Sequence, residues 1–227
     1  MLVGHSYIAR LNTYLNSELN NLGISPLVAT VDCVGLPGAT VFPGGKCINT
    51  LTSEILGKKP NIVYLQIGEN DVANGHSAFL VAEEITHLVK SLTPTVNRVI
   101  VGQLLPFPSL ERQVIVGTNQ ELKRRLSTNP NTKFWQHKNG FWKPVTNLLT
   151  GLNRTEVFAP DGVHLSQAGQ RKYASSVRMA VEKALSSIWF SGHRPGDQEE
   201  SSTSDLSHCW EAPELVELGM PFEMPDL

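Results

Sequence analysis

The sequence predicts an α/β domain built on a parallel sheet. Near-continuous β-branched runs alternate with amphipathic helical patterns, which is the signature of βαβ units with helices on both faces of the sheet. Three of the apolar runs end in polar, glycine-containing turns, where a parallel sheet presents its chemistry. At 227 residues the chain is long enough to bury one good core with a tail to spare.

The first apolar run, Met1-Leu2-Val3, ends in Gly4-His5-Ser6. Residues 7–22 then place Ile8, Leu11, Leu15, Leu19 and Leu22 on one helical face, with Gly23 as a natural C-terminal cap. Residues 27–34, 61–67 and 98–105 read as strands covered on both sides. Helices are expected over 47–57, 77–92 and 111–127, and a short strand over Thr132–Trp135. Residues 129–160 are otherwise irregular and carry Trp135, Phe141, Trp142 and Phe158. These aromatics suit either a cap on the core or a substrate-facing loop. Ser166 is a good N-cap for a final helix with the apolar stripe Tyr173, Val177, Ala180, Val181, Ala184, Leu185 and Ile188.

Composition narrows the function classes. No stretch approaches the roughly 18 apolar residues of a membrane helix. The chain as written has no charged leader or apolar signal segment, so a cytoplasmic location is expected. So abrupt a start suits a domain cut from a longer chain. Cys33, Cys47 and Cys209 are odd in number and lack CxxC spacing, which argues against a disulfide framework or a zinc site and fits a reducing compartment. Cys33 reads as a core thiol, and the sequon Asn153-Arg154-Thr155 as chance.

The net charge of −2 hides an asymmetry. Residues 191–227 hold nine acidic residues and one basic residue, Arg194, so a mildly basic body (1–190) carries an acidic tail. The tail reads as disordered. Its end mixes acidic and apolar residues, as short motifs that dock on a protein partner or fold back on their own domain do. The basic body would tolerate a nucleic-acid partner, but the sequence has no RNP-type aromatic signature and no zinc knuckle. Lys123-Arg124-Arg125, and His137 with Lys133, Lys138 and Lys143, read as solvated basic patches. His76 and His87 read as surface residues.

Asp161-Gly162-Val163-His164 stands just before the final helix. A serine hydroxyl needs a base, histidine suits that role near neutrality, and a carboxylate must fix the imidazole tautomer. Asp161 and His164 are three residues apart, close enough on a tight turn for a local contact. Ser6 is the candidate nucleophile. The N–H groups of Ser6 and Gly38 and the side-chain amide of Asn70 are candidate donors to an oxyanion. Asp71 reads as a support for its turn. His5 should point away from Ser6, because side chains alternate along a strand end.

The ordered set Gly4-His5-Ser6, Gly35-Leu36-Pro37-Gly38, Gly68-Glu69-Asn70-Asp71 and Asp161-Gly162-Val163-His164 resembles the four blocks of the GDSL/SGNH serine esterases and lipases. The resemblance spans residues 1 to about 190 and departs from the family in one place, where His5 replaces the usual Asp. It implies a flavodoxin-like three-layer αβα sandwich with a central parallel sheet. It implies metal-independent hydrolysis of an ester or acetyl group without a cofactor. It carries the nucleophile to Ser6, the base to His164, the orienting acid to Asp161, and the oxyanion hole to Ser6, Gly38 and Asn70. Domains of this kind look similar to esterases carried by some LINE-type retroelements and other mobile elements. Two alternatives stay open: an inactive binding module of the same fold, associated with nucleic acid, and acyl transfer to an alcohol in place of water.

Overall fold

The computed structural model describes residues 1–17, 19–44, 46–106, 112–137, 141 and 157–192. The expected sandwich is observed. Five parallel strands, β1 (Leu2–Gly4), β2 (Cys33–Gly35), β3 (Ile62–Gln66), β4 (Arg98–Gly102) and β5 (Thr132–Trp135), lie in the order β2-β1-β3-β4-β5. This is the doubly wound order in which a crevice opens between the first and third strands, at their carboxyl ends.

Six α-helices are present among the described residues: α1 (Ser6–Ser17), α2 (Thr52–Gly57), α3 (Glu69–Ala73), α4 (Ala78–Leu92), α5 (Arg112–Leu126) and α6 (Gln167–Gly192). Period-2 alternation of the strands sorts them into two cores. Leu2, Tyr64 and Ile100 face Tyr7, Ile8 and Leu11 of α1 and Tyr173 and Val177 of α6. Val3, Val63, Leu65, Val99 and Val101 face Ile55 of α2, Ile85 and Leu88 of α4, and Ile115 and Leu122 of α5. Ser166 caps α6 as expected, its Oγ accepting from Gly169 N at 3.0 Å.

The second strand is shorter than its apolar run. Only Cys33–Gly35 pairs with β1, at the edge of the sheet, and Leu27 and Val28 are exposed. The cause is Asn21. Its amide donates to Ala29 O (2.8 Å) and Ile24 O (2.6 Å), and its Oδ1 accepts from Val31 N (2.7 Å). The backbone of this segment is therefore held by Asn21 and by a turn at Ser25, whose carbonyl accepts from Val28 N (2.9 Å) and Ala29 N (3.1 Å), instead of by a ladder. The first helix is also shorter than its stripe. It stops at Ser17, and a 3₁₀ turn at Asn20–Gly23 follows, with Asn21 and Leu22 in the left-handed region.

The close approach of β1 to β3 dictates Gly4. A Cβ there would stand 2.2 Å from Gln66 O and 2.8 Å from Ile8 Cγ1. Trp142, the sequon at 153–155 and Cys209 lie outside the described residues, as does all of the acidic tail beyond the last turn of α6. Among the described residues, no helix is long and apolar enough to cross a membrane.

Candidate active site

Ser6 opens α1 directly after β1. A residue at the first helical turn has no intrahelical acceptor for its N–H, so this end of the helix offers donors and a positive dipole end. His5 supplies the turn: its carbonyl accepts from Ile8 N (3.1 Å) and Ala9 N (3.2 Å). Gly38 lies in the loop after β2 with φ +79°, and an added Cβ would meet open space. Glycine is required there by backbone conformation, not by crowding. Asn70, in the first turn of α3, donates through Nδ2 to Ala39 O at 2.8 Å. That bond joins the Asn70 amide to the Gly38 loop and uses one of its two hydrogens. Asp71 is buried and accepts from Val41 N (3.0 and 3.1 Å) and Phe42 N (3.2 Å), so its side chain holds the Gly38 loop and not only its own turn. Burial pushes its carboxyl above the ordinary value, against the pull of these backbone donors.

Asp161 and His164 are in contact. Asp161 Oδ2 meets His164 Nδ1 at 2.7 Å, and Oδ1 accepts from the backbone N–H of both Val163 and His164 at 2.9 Å. The His164 N–H, the His164 ring and the Val163 N–H, in that order, hold the Asp161 carboxyl well below the usual range, so it stays ionised. An ionised Asp161 selects the Nδ1–H tautomer and leaves the lone pair on Nε2. The turn is anchored at both ends. Phe158 and Leu165 form an antiparallel bridge, and Tyr7 donates its hydroxyl to Val163 O at 3.0 Å. Tyr7 follows Ser6 and Val163 precedes His164, so this bond ties the serine helix to the histidine turn. No hydrogen bond joins Ser6 Oγ to His164 among the described residues.

The Ser6 hydroxyl instead meets His5 Nδ1 at 3.3 Å. His5 therefore does not point away from it. Strand alternation fails at this position because the chain is already turning into α1. The His5 ring is buried, and its Nε2 reaches Glu69 Oε2 at 2.8 Å. Glu69 is itself fully buried. Its Oε1 accepts from Gln66 Nε2 (2.7 Å) and Leu105 N (3.1 Å). Burial raises the Glu69 carboxyl, but the charge and hydrogen bond of His5 and the backbone donors outweigh it and hold it below its ordinary value. Glu69 carries no role in the sequence reading.

The polar chain continues through the core. Gln66 Oε1 accepts from Tyr64 and Tyr173 hydroxyls at 3.1 Å each. His137 lies 3.1 Å from the Tyr64 hydroxyl through Nε2 and 2.9 Å from Ser176 Oγ through Nδ1. His137 is thus buried beneath the site and not part of a solvated patch. Burial pushes its pKa down to about 4. Its ring stays neutral in the folded protein while the unfolded chain binds a proton near 6.5. Its stabilising contribution is complete above pH 6.5 and is lost as pH falls from there towards 4. Between pH 7 and pH 5 this one group should cost roughly 2 kcal/mol of folding free energy. Urea unfolding at the two pH values, beside His137→Gln, checks the prediction: the variant should lose less stability by that amount.

His87 is exposed as expected. His76 stacks on Phe42 with centroids 3.9 Å apart. Of the Lys123-Arg124-Arg125 run, both arginines engage Glu121, which leaves the patch partly neutralised. An open hollow of about 300 Å³ lies beside Gly38, lined by Thr40, Phe42, Lys46, Asn74 and His76. A larger cavity of about 520 Å³ sits at the amino ends of the strands, by Met1, Asp32, Lys58 and Ile62, away from these residues. Among the described residues, no group of three or more His, Cys, Asp or Glu side chains is placed to hold a metal ion.

The family model of GDSL-like lipases/acylhydrolases matches residues 4–177, and the chain belongs to that family. No curated protein matches the chain. Several solved structures share its fold. A member of the lipolytic G-D-S-L family from Veillonella parvula is 18% identical with a TM-score of 0.60, over 78% of this chain and 94% of its own. A carbohydrate esterase family 3 protein from Talaromyces cellulolyticus is 16% identical with a TM-score of 0.57, over 82% and 97%. An acetylxylan esterase from Geobacillus stearothermophilus is 19% identical with a TM-score of 0.54, over 78% and 90%.

Proposed function

We propose that the protein is a serine esterase that hydrolyses a carboxylic ester or an O-acetyl group through an acyl-enzyme. The observation that carries this reading is the 2.7 Å Asp161–His164 pair on a turn tied by Tyr7 to the helix that Ser6 opens. Ser6 Oγ attacks the acyl carbon while His164 Nε2 takes its proton. The oxyanion is met by the N–H groups of Ser6 and Gly38 and by Asn70 Nδ2, which the Ala39 bond holds beside the Gly38 loop. The intermediate collapses as His164 protonates the leaving alcohol. Water, activated by the same ring, then releases the acid. The polar hollow beside Gly38 favours a short acyl group on a polar alcohol, in keeping with the acetylxylan esterase among the structural neighbours. The free Cys33 and Cys47 thiols favour a reducing, intracellular compartment.

If Asn70 is an oxyanion donor, Asn70→Ala should lower kcat for an aryl acetate by about 10²–10³-fold, or roughly 2.7–4 kcal/mol. KM should barely move. An unchanged kcat in a variant that melts like the parent would remove Asn70 from the site. Wild-type turnover no higher than that of Ser6→Ala would refute the esterase reading and leave a binding module of the same fold.

A further inference from the structure

Ser6 lies against an imidazole–carboxylate pair that the proposed mechanism does not use. Its Oγ is 3.3 Å from His5 Nδ1, and His5 Nε2 is 2.8 Å from Glu69 Oε2. The order serine, imidazole, carboxylate is that of a nucleophile with its base and orienting acid. The pair is well defined. His5 is 2% exposed and Glu69 fully buried, and the second Glu69 oxygen is taken by Gln66 Nε2 and Leu105 N. An ionised carboxylate only accepts, so His5 Nε2 must be the protonated nitrogen. Whenever the ring gives up its second proton, Nδ1 carries the lone pair, and the Ser6 hydroxyl donates to it. Base–nucleophile bonds of this length are usual before substrate binds.

We propose that His5, oriented by Glu69, is a second general base for Ser6 and supports its acylation when the leaving group needs no proton. The inference rests on Ser6 being the nucleophile in the esterase reading. With a fluorophosphonate, the Ser6 O–H bond breaks as the Oγ–P bond forms, and its proton passes to His5 Nδ1. The P–F bond breaks and fluoride departs with its electron pair. The product is a phosphonylated serine beside a His5 imidazolium paired with the Glu69 carboxylate, and the proton then returns to water. An alkyl ester differs because its alkoxide must be protonated as it leaves, a step assigned to His164 on the open side of the site. The two imidazoles thus divide the work. His5 suffices for attack on activated acyl and phosphonyl groups, and His164 is needed for ordinary esters.

The test compares fluorophosphonate labelling and alkyl acetate hydrolysis in wild type, His164→Ala, His5→Asn/His164→Ala and Ser6→Ala. His164→Ala should lose alkyl acetate hydrolysis yet still label on Ser6. It should label at least about 10²-fold faster than the double variant, the scale of general-base assistance. Labelling of His164→Ala no faster than that of the double variant or of Ser6→Ala overturns the inference. Because His5 is buried and its replacement can disturb folding, ¹⁵N NMR of wild-type His5 gives an independent reading. A neutral ring protonated at Nε2 is expected. A proton on Nδ1, in either the other tautomer or the imidazolium, leaves no lone pair for Ser6 and overturns the inference. A wild-type protein that does not label defeats the esterase reading itself. Labelling lost only with His164 defeats the second base alone.

Discussion

Ser6→Ala is expected to lower ester turnover on the order of 10⁶-fold, the scale on which a triad serine acts, with the fold intact. The size follows from the chemistry, since without the hydroxyl no acyl-enzyme forms and only the oxyanion donors remain to help water. Little structural cost accompanies the change. Ser6 is half-buried, its hydroxyl bonds to His5, and the helix start it occupies is built by the His5 carbonyl. Loss of that one hydrogen bond is worth about 0.5–1.5 kcal/mol. Steady-state hydrolysis of an aryl acetate, beside thermal melting, checks both halves. A variant that keeps more than about a hundredth of the activity would place the nucleophile elsewhere, because removing one supporting group costs about that much.

Asp161→Asn is expected to cost about 10⁴-fold in kcat, as it does where a triad carboxylate sets the imidazole tautomer. Asp161 performs two tasks with two oxygens. Oδ1 holds the Val163 and His164 N–H groups and so shapes the turn, while Oδ2 holds His164 Nδ1. An asparagine keeps its carbonyl for the first task. Its amide nitrogen then faces Nδ1 as a donor and forces the proton to Nε2, where the lone pair is needed. The turn should survive and the base should not. Measured kcat with unchanged melting, together with the His164 ring tautomer by ¹⁵N NMR, separates this from simple unfolding. A loss below about tenfold would mean that Asp161 only shapes the loop.

Much of the fold and of the candidate site is legible in the sequence. The strands β3 and β4 lie inside the sheet, and their near-continuous apolar runs report burial on both faces. The Asp161–His164 contact follows from a spacing of three on a tight turn. The apolar run 27–34 suggests a longer second strand than the one that forms, because it says nothing of a competing side chain, and Asn21 captures that backbone from several residues away. The side His5 takes is not legible from strand alternation, which ends one residue earlier, where the chain turns into α1. Glu69 went unassigned because its partner is 64 positions distant. Its signal is a carboxylate at the start of α3 facing a histidine at the start of α1, and topology alone brings the two together. His137 stands among lysines in sequence, yet it shares the strand parity of Trp135. Both side chains reach Ser176 in the interior.

The proposed chemistry requires Ser6 to be an activated nucleophile. The most direct test is reaction of the intact protein with a fluorophosphonate, read as whole-protein mass beside Ser6→Ala. A single adduct is expected on the wild type, mapped to the peptide that holds Ser6 and absent from the variant. A well-folded wild type that remains unmodified, or an adduct that persists in Ser6→Ala, would contradict it.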